Sequence, residues 1–458
     1  MRRIVVVAAV VLLIAGLARA EEQFEDVVAA GELGVDTGRL EEAARLFEHA
    51  GAMSPERLGE IASDRAWVYV RMGNDAIVVN DIAAANRDFA LASAIYPAYR
   101  DMLRAQWAYA KIAAANEDLD EATEHPRSAD WQGIEGEIRS ALELNPGDAR
   151  THFVFGTYYH MRGRIEKAKS EYLKALGGDE HGATSVDDLR EEAAKVVRDR
   201  QFTLTLRPVY PPRTEAEDGE YMVYRKGPFV IYNHNMALAK RIAAVLEYDL
   251  SLAVLDGVLS PSDPFPEECK VYVFANEEQF RAAGGMEVWA GGQSKIMLQD
   301  GRLVSASMNL FQTTPELTES AVPHELTHVR LAASKFFSET TPLWLQEGIA
   351  ESTESWFKKA VTAKGLMSAR EADTLISLEE LLQMREYPKD RASNIFYGES
   401  LAAVESLVKK GDKEQFWRFM TVLKDKGASM ALGEVYGLTP ADVEEMVLEW
   451  ARTHAPPQ

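Results

Sequence analysis

Five consecutive residues, His324-Glu325-Leu326-Thr327-His328, have the types and the spacing to do metal chemistry. On a helix, positions four apart are rotated by only about 40°, so both imidazoles project from one face, one turn apart, and can grip a single ion. Zinc suits imidazole nitrogen, and a carboxylate beside an open coordination position, here Glu325, can take a proton from water. Two histidines at this spacing are equally compatible with packing or surface positions of an ordinary helix. A tetrahedral catalytic site needs a third protein ligand. The string Trp344-Leu345-Gln346-Glu347-Gly348-Ile349-Ala350 offers one, with Glu347 nineteen residues after His328.

The two motifs at that separation resemble the gluzincin zinc metallopeptidases, in which a second helix beside the first supplies a glutamate. The Trp-Leu-x-Glu-Gly-x-Ala string is similar to that of the M1 aminopeptidase branch and of the broader peptidase MA-like domains. The resemblance implies that His324, His328 and Glu347 hold Zn2+ and that Glu325 activates water. Glu351, one turn after Glu347, then matches the carboxylate that accepts a hydrogen bond from a ligand imidazole in thermolysin-like enzymes. The alternative for Glu351 is a solvated helix glutamate, with Glu354 close by in sequence. Phe396-Tyr397-Gly398-Glu399-Ser400 is similar to the M1 segment whose tyrosine donates a hydrogen bond to the oxyanion, which makes Tyr397 the candidate donor or else a packing aromatic. Trp289-Ala290-Gly291-Gly292, ahead of Lys295 to Leu298, resembles the glycine-containing approach to a sheet edge on which an extended substrate pairs; a tight turn is the other reading.

The chain departs from the M1 pattern in three places, one of them an interval from Glu347 to Tyr397 that is somewhat shorter than in the M1 branch and bears on the Tyr397 assignment. Ser307-Met308-Asn309 lacks the glutamate that holds a substrate's amino terminus, so an endopeptidase or processing enzyme fits better than an exopeptidase. Pro323 directly precedes His324, although Thr314-Pro315 reads as a helix start, so the metal helix either begins late, near Ser320, or is kinked. The other histidines (49, 125, 152, 160, 181, 234 and 454) are scattered and read as surface or packing residues.

The elements that must position these residues fall into two halves. Up to about residue 200, Ala and aromatic positions recur in one register: Ala43, Phe47, Ala50 and Pro55; Ala85, Phe89, Ala92 and Pro97; Ile138, Ala141 and Pro146; Ala168, Tyr172 and Ala175. This resembles the second helix of the tetratricopeptide repeat, best over Ala149 to Leu176, where Gly156 and Tyr159 sit on the first helix, with Gly31 equivalent in the first unit. A generic amphipathic bundle is the alternative. Beyond it, strands are expected at Phe202 to Arg207, Phe229 to Tyr232, Lys270 to Phe274 and Lys295 to Leu298, with a helix from Ala237 to about Leu255 and mainly helix from Glu316 to Trp450.

Composition limits the partners. With 50 Lys and Arg against 72 Asp and Glu, the net charge of −22 argues against nucleic acid and against charge-driven binding to anionic lipid. Cys269 is the only cysteine, so no intrachain disulfide forms and any metal site must use His and carboxylate ligands. Arg2 and Arg3, the apolar run Ile4 to Leu17 and Ala18-Arg19-Ala20 read as an export signal cleaved after Ala20, with an uncleaved anchor as the alternative. The expected architecture is therefore a signal peptide over 1–20, an all-α TPR-like helical repeat over 21–200, and an α+β gluzincin domain (thermolysin-like, MA clan) over 201–458. The expected setting is periplasmic or extracellular, without stable membrane insertion. The expected substrate is a peptide or protein, with a further protein partner on the repeats. A non-catalytic exported scaffold is the competing expectation.

Overall fold

The repeated small and aromatic positions of the first half are buried because each lies on the inner face of a helix. The structure, a computed structural model, describes residues 23–126, 128–177, 185–199, 221–283, 291–299, 302–312, 317–338, 340–388 and 392–455. The expectations for the export signal, the strand at Phe202 to Arg207, Thr314-Pro315, Trp289-Ala290 and His181 lie outside the described residues. Among the described residues, contacts divide the chain into two compact units, the first comprising 23–28 and 40–199, the second 29–39 and 221–455.

The first unit is all helix. Ala43, Phe47 and Ala50 on Leu40–Met53 are fully buried, as are Ala85, Phe89 and Ala92 on Ile82–Ile95 and Ala168, Tyr172 and Ala175 on Ile165–Ala175. Close helix approach needs glycine twice. A Cβ on Gly156 would lie 2.5 Å from the Tyr172 ring, and one on Gly73 would lie 2.6 Å from the Phe89 ring. Glycine and aromatic are sixteen residues apart in both pairs, so the register of Ala85, Phe89 and Ala92 has a physical partner in Gly73 as that of Ala168, Tyr172 and Ala175 has in Gly156. His152 is a packing residue here: Nδ1 lies 2.7 Å from Glu171 Oε2, and Nε2 lies 2.9 Å from the Pro146 carbonyl.

The second unit is mixed α and β. Its five strands, β1 Met222–Lys226, β2 Phe229–Asn233, β3 Cys269–Phe274, β4 Gly292–Gln299 and β5 Arg302–Phe311, form one sheet in the order β1-β2-β3-β5-β4. The β2–β3 and β3–β5 pairs are parallel, whereas β1–β2 and β4–β5 are antiparallel, so β4 is an edge strand. The strands expected at Phe229 to Tyr232, Lys270 to Phe274 and Lys295 to Leu298 correspond to β2, β3 and part of β4, whereas β1 and β5 lie outside those expectations. In β5 the buried Ala306, Met308 and Leu310 alternate with Ser305, Ser307 and Asn309, a period-two strand pattern that is present in the sequence. The helix expected to reach Leu255 spans Met236–Leu250 instead. The chain then turns through Leu255 and Asp256 with φ of 48° and 53°, a conformation no helix continues through. Among the described residues, no helix is long and apolar enough to cross a membrane.

Two apolar clusters build this unit. Ile242, Ala243, Val245 and Leu246 pack with Ile231, Val271 and Met308 of the sheet and with Val322, Leu326 and Val329 of helix Val322–Ala333. Trp344, Leu345 and Ile349 of helix Leu343–Glu351 belong to the other cluster, with Leu401, Val404 and Leu407 of helix Ala392–Lys410. These last two helices touch backbone to backbone at Gly348, where a Cβ would stand 2.3 Å from the Ser400 carbonyl oxygen. Gly348→Ala is expected to destabilise the unit by about 1–3 kcal/mol, because a packed backbone cannot yield as a flexible side chain can. Gly365→Ala, on the exposed face of helix Trp356–Glu371 with nothing within 4 Å, is expected to stabilise by roughly 0.8–1 kcal/mol. Calorimetric unfolding of the two variants checks both signs.

Candidate metal centre

The helix that carries His324, Glu325 and His328 starts at Val322, and the turn before it, Leu317–Ala321, is π-helical. Helical structure is thus continuous from Leu317 through Ala333, and Pro323, which has no N–H to give to the turn before it, lies where the π turn passes into the α-helix. Thr327 Oγ1 donates to the Pro323 carbonyl at 2.8 Å, one turn back.

His324 Nε2 and His328 Nε2 lie 3.2 Å apart, and Glu347 Oε2 lies 3.3 Å from the first and 3.5 Å from the second. Ligands bonded to a tetrahedral zinc at about 2.0–2.1 Å stand roughly 3.3–3.4 Å from one another, so this triangle fits the ion without rearrangement. Three protein donors leave the fourth position for water or substrate, the pattern of catalytic rather than structural zinc. Burial alone would raise Glu347, but His328 and His324 hold its carboxyl well below the ordinary range. It is a charged ligand ready for a cation.

The other nitrogen of His324 is fixed by a carboxylate. Nδ1 lies 3.1 Å from Glu354 Oε1, and Glu354 Oε2 accepts a hydrogen bond from Ser320 Oγ at 2.6 Å, with Lys358 Nζ at 3.3 Å. Glu351, which the resemblance put in this role, has its oxygen 3.7 Å from the same nitrogen. The helix ends at Glu351, and the following turn carries the Glu354 side chain back over the imidazole. Ser352-Thr353-Glu354-Ser355, ending in the capping serine of the next helix, is the sequence signal for that break. His324, Glu351 and Glu354 also form a second cluster of possible ligands. Its carboxylates are better accounted for as orienting groups, since Lys358 already neutralises Glu354. Burial and the Glu354 charge raise Glu351, whereas Lys358 and His324 keep Glu354 low against its burial.

Glu325 is buried beside the triangle, and Ser294 Oγ on the edge strand β4 donates to its Oε2 at 2.6 Å. The approach is tight: a Cβ at Gly292 would come within 2.8 Å of Glu325 Cγ. The glycine of the quoted Gly291-Gly292 pair is thus needed to seat β4 on the metal helix. The rings of Tyr397 and His324 are 6.4 Å apart. Sequence reasoning missed Tyr387, whose hydroxyl donates to Glu347 Oε1 at 2.6 Å, fixing the oxygen that faces away from the histidine nitrogens. It sits between two helices, at no helical spacing from the motif, and nothing in the sequence marks it. Burial, followed by the Glu347 charge, raises both phenols, so each keeps its proton as a hydrogen-bond donor.

No family model, curated protein or solved structure matches the chain. The centre stands on its own geometry, a buried His-Glu-x-x-His cluster with a downstream glutamate at gluzincin spacing, which supports a zinc metallopeptidase fold. Purified protein is expected to carry zinc equimolar with the chain, and His324→Ala, His328→Ala or Glu347→Ala to deplete it. Glu354→Gln is expected to weaken zinc affinity by about 10–100-fold, as removal of outer partners of metal ligands does. Metal analysis and chelator competition measure both.

Proposed function

We propose that this chain is an exported zinc-dependent peptidase of the gluzincin type, acting on peptide or protein substrates as an endopeptidase or processing enzyme. The observation that carries the reading is the His324, His328, Glu347 triangle with Glu325 held beside it by Ser294. Zinc held by the three ligands supplies a Lewis acid that acidifies water and polarises a carbonyl. Glu325, with Oε2 occupied by Ser294, has its other oxygen to accept the proton of the attacking water and to return it to the leaving amine. Tyr397, protonated, serves as hydrogen-bond donor to the developing oxyanion. Glu354 and Tyr387 keep His324 and Glu347 in the geometry that these steps require.

The edge strand β4 beside Glu325 favours an extended peptide, which can pair with the outer side of β4, where no strand lies among the described residues. The first unit, with its buried glycine and aromatic contacts, is proposed to be a tetratricopeptide-like surface for a substrate or a protein partner. Export rests on the basic and apolar start of the sequence.

Glu325→Gln decides between catalysis and a non-catalytic scaffold. The amide is nearly isosteric, so zinc content is expected to match the parent. Loss of a positioned general base is expected to lower turnover by about 100–10,000-fold. Tyr397→Phe is expected to cost less and to lower kcat more than it changes KM, because the oxyanion exists only along the reaction. Cleavage of a peptide library with zinc-matched protein measures these effects. Parent-like cleavage by Glu325→Gln would rule out the mechanism.

A further inference from the structure

The π-helical turn Leu317–Ala321 delivers the chain into the metal helix, and it carries two hydroxyls with different partners. Ser320 Oγ donates to Glu354 Oε2 at 2.6 Å, and Glu354 in turn meets His324 Nδ1 at 3.1 Å. Thr318 Oγ1 donates at 3.0 Å to Asp36 Oδ1, although 282 positions separate them in sequence. Asp36 is only 2% exposed. Arg241, on helix Met236–Leu250, grips both of its oxygens, Nε and Nη2 each at 2.6 Å. That helix packs against the metal helix through Ile242, Val245 and Leu246.

The π turn is a single stretch of five residues, and Pro323 just beyond it offers no N–H to bond back into it. The side-chain bonds of Thr318 and Ser320 add to what the backbone of the turn supplies. We infer that Asp36 is a positioning residue for the metal centre: fixed by Arg241, it holds Thr318, and through the π turn it sets Ser320 and Glu354 against His324. Residues 29–39 are in this sense part of the support of the site. The inference rests on reading the site as a zinc centre.

The decisive variant is Thr318→Val, which removes the hydroxyl but leaves the Asp36–Arg241 pair intact. In full-length protein, zinc affinity measured by chelator competition is expected to fall by roughly threefold to tenfold, less than the about 10–100-fold typical of groups that touch a ligand. Thr318→Ser, which restores a hydroxyl, is expected to recover the parent value. The unfolding midpoint of the zinc-free protein is expected to fall by several degrees in Thr318→Val, since a hydrogen bond to a buried carboxylate is lost, and to recover in Thr318→Ser. Parent-like affinity in Thr318→Val overturns the inference. So does a loss that Thr318→Ser does not restore, since the hydroxyl contact would then not be what positions the site. A parent protein that takes up no zinc overturns the zinc reading itself, and the inference falls with it.

Discussion

Two imidazole nitrogens and one carboxylate oxygen held within 3.2–3.5 Å of one another, largely out of water, form the constraint around which the second unit is built. Donor groups packed so closely are costly to desolvate unless each is oriented and the set shares a cation or a proton. Two of the three ligands have a partner on the far side: Glu354 for His324 and Tyr387 for Glu347. Glu354 is itself satisfied by Ser320 and Lys358, so the chain of bonds does not end on an unmet buried charge.

Packing supplies the rigidity behind those bonds. The metal helix is embedded in the cluster shared with the sheet, through Val322, Leu326 and Val329, whereas the Glu347 helix is embedded in the helical cluster through Trp344, Leu345 and Ile349. The ligand triangle thus forms between helices rooted in two different cores, and its dimensions are inherited from how those cores meet. Two glycines make the meeting close enough. Gly348 lets the Glu347 helix lie against the Ser400 backbone, and Gly292 lets β4 lie against Glu325. At each of these positions a methyl group has no space: it would stand 2.3 Å from the Ser400 carbonyl oxygen at Gly348 and 2.8 Å from Glu325 Cγ at Gly292.

By itself the sequence determined the metal motif, because a four-residue helical offset places two imidazoles on one face whatever the surroundings, and a glutamate one helix later completes the ligand count. It also determined the helical first half, because burial of Ala and aromatic positions in a fixed register is a local, periodic property, and it determined the mixed character of the second half. Tertiary structure decided what depends on contacts between distant segments. Glu354 rather than Glu351 lies at hydrogen-bonding distance from His324 because the helix stops at Glu351. Tyr387 reaches Glu347 from a loop with no periodic relation to the motif. β5 joins β3 to β4, a place in the sheet that its own period-two alternation does not specify, since strand order depends on contacts between segments. Asp36 reaches the turn before the metal helix from the far end of the chain, and no spacing in a linear sequence records a hydrogen bond of that length.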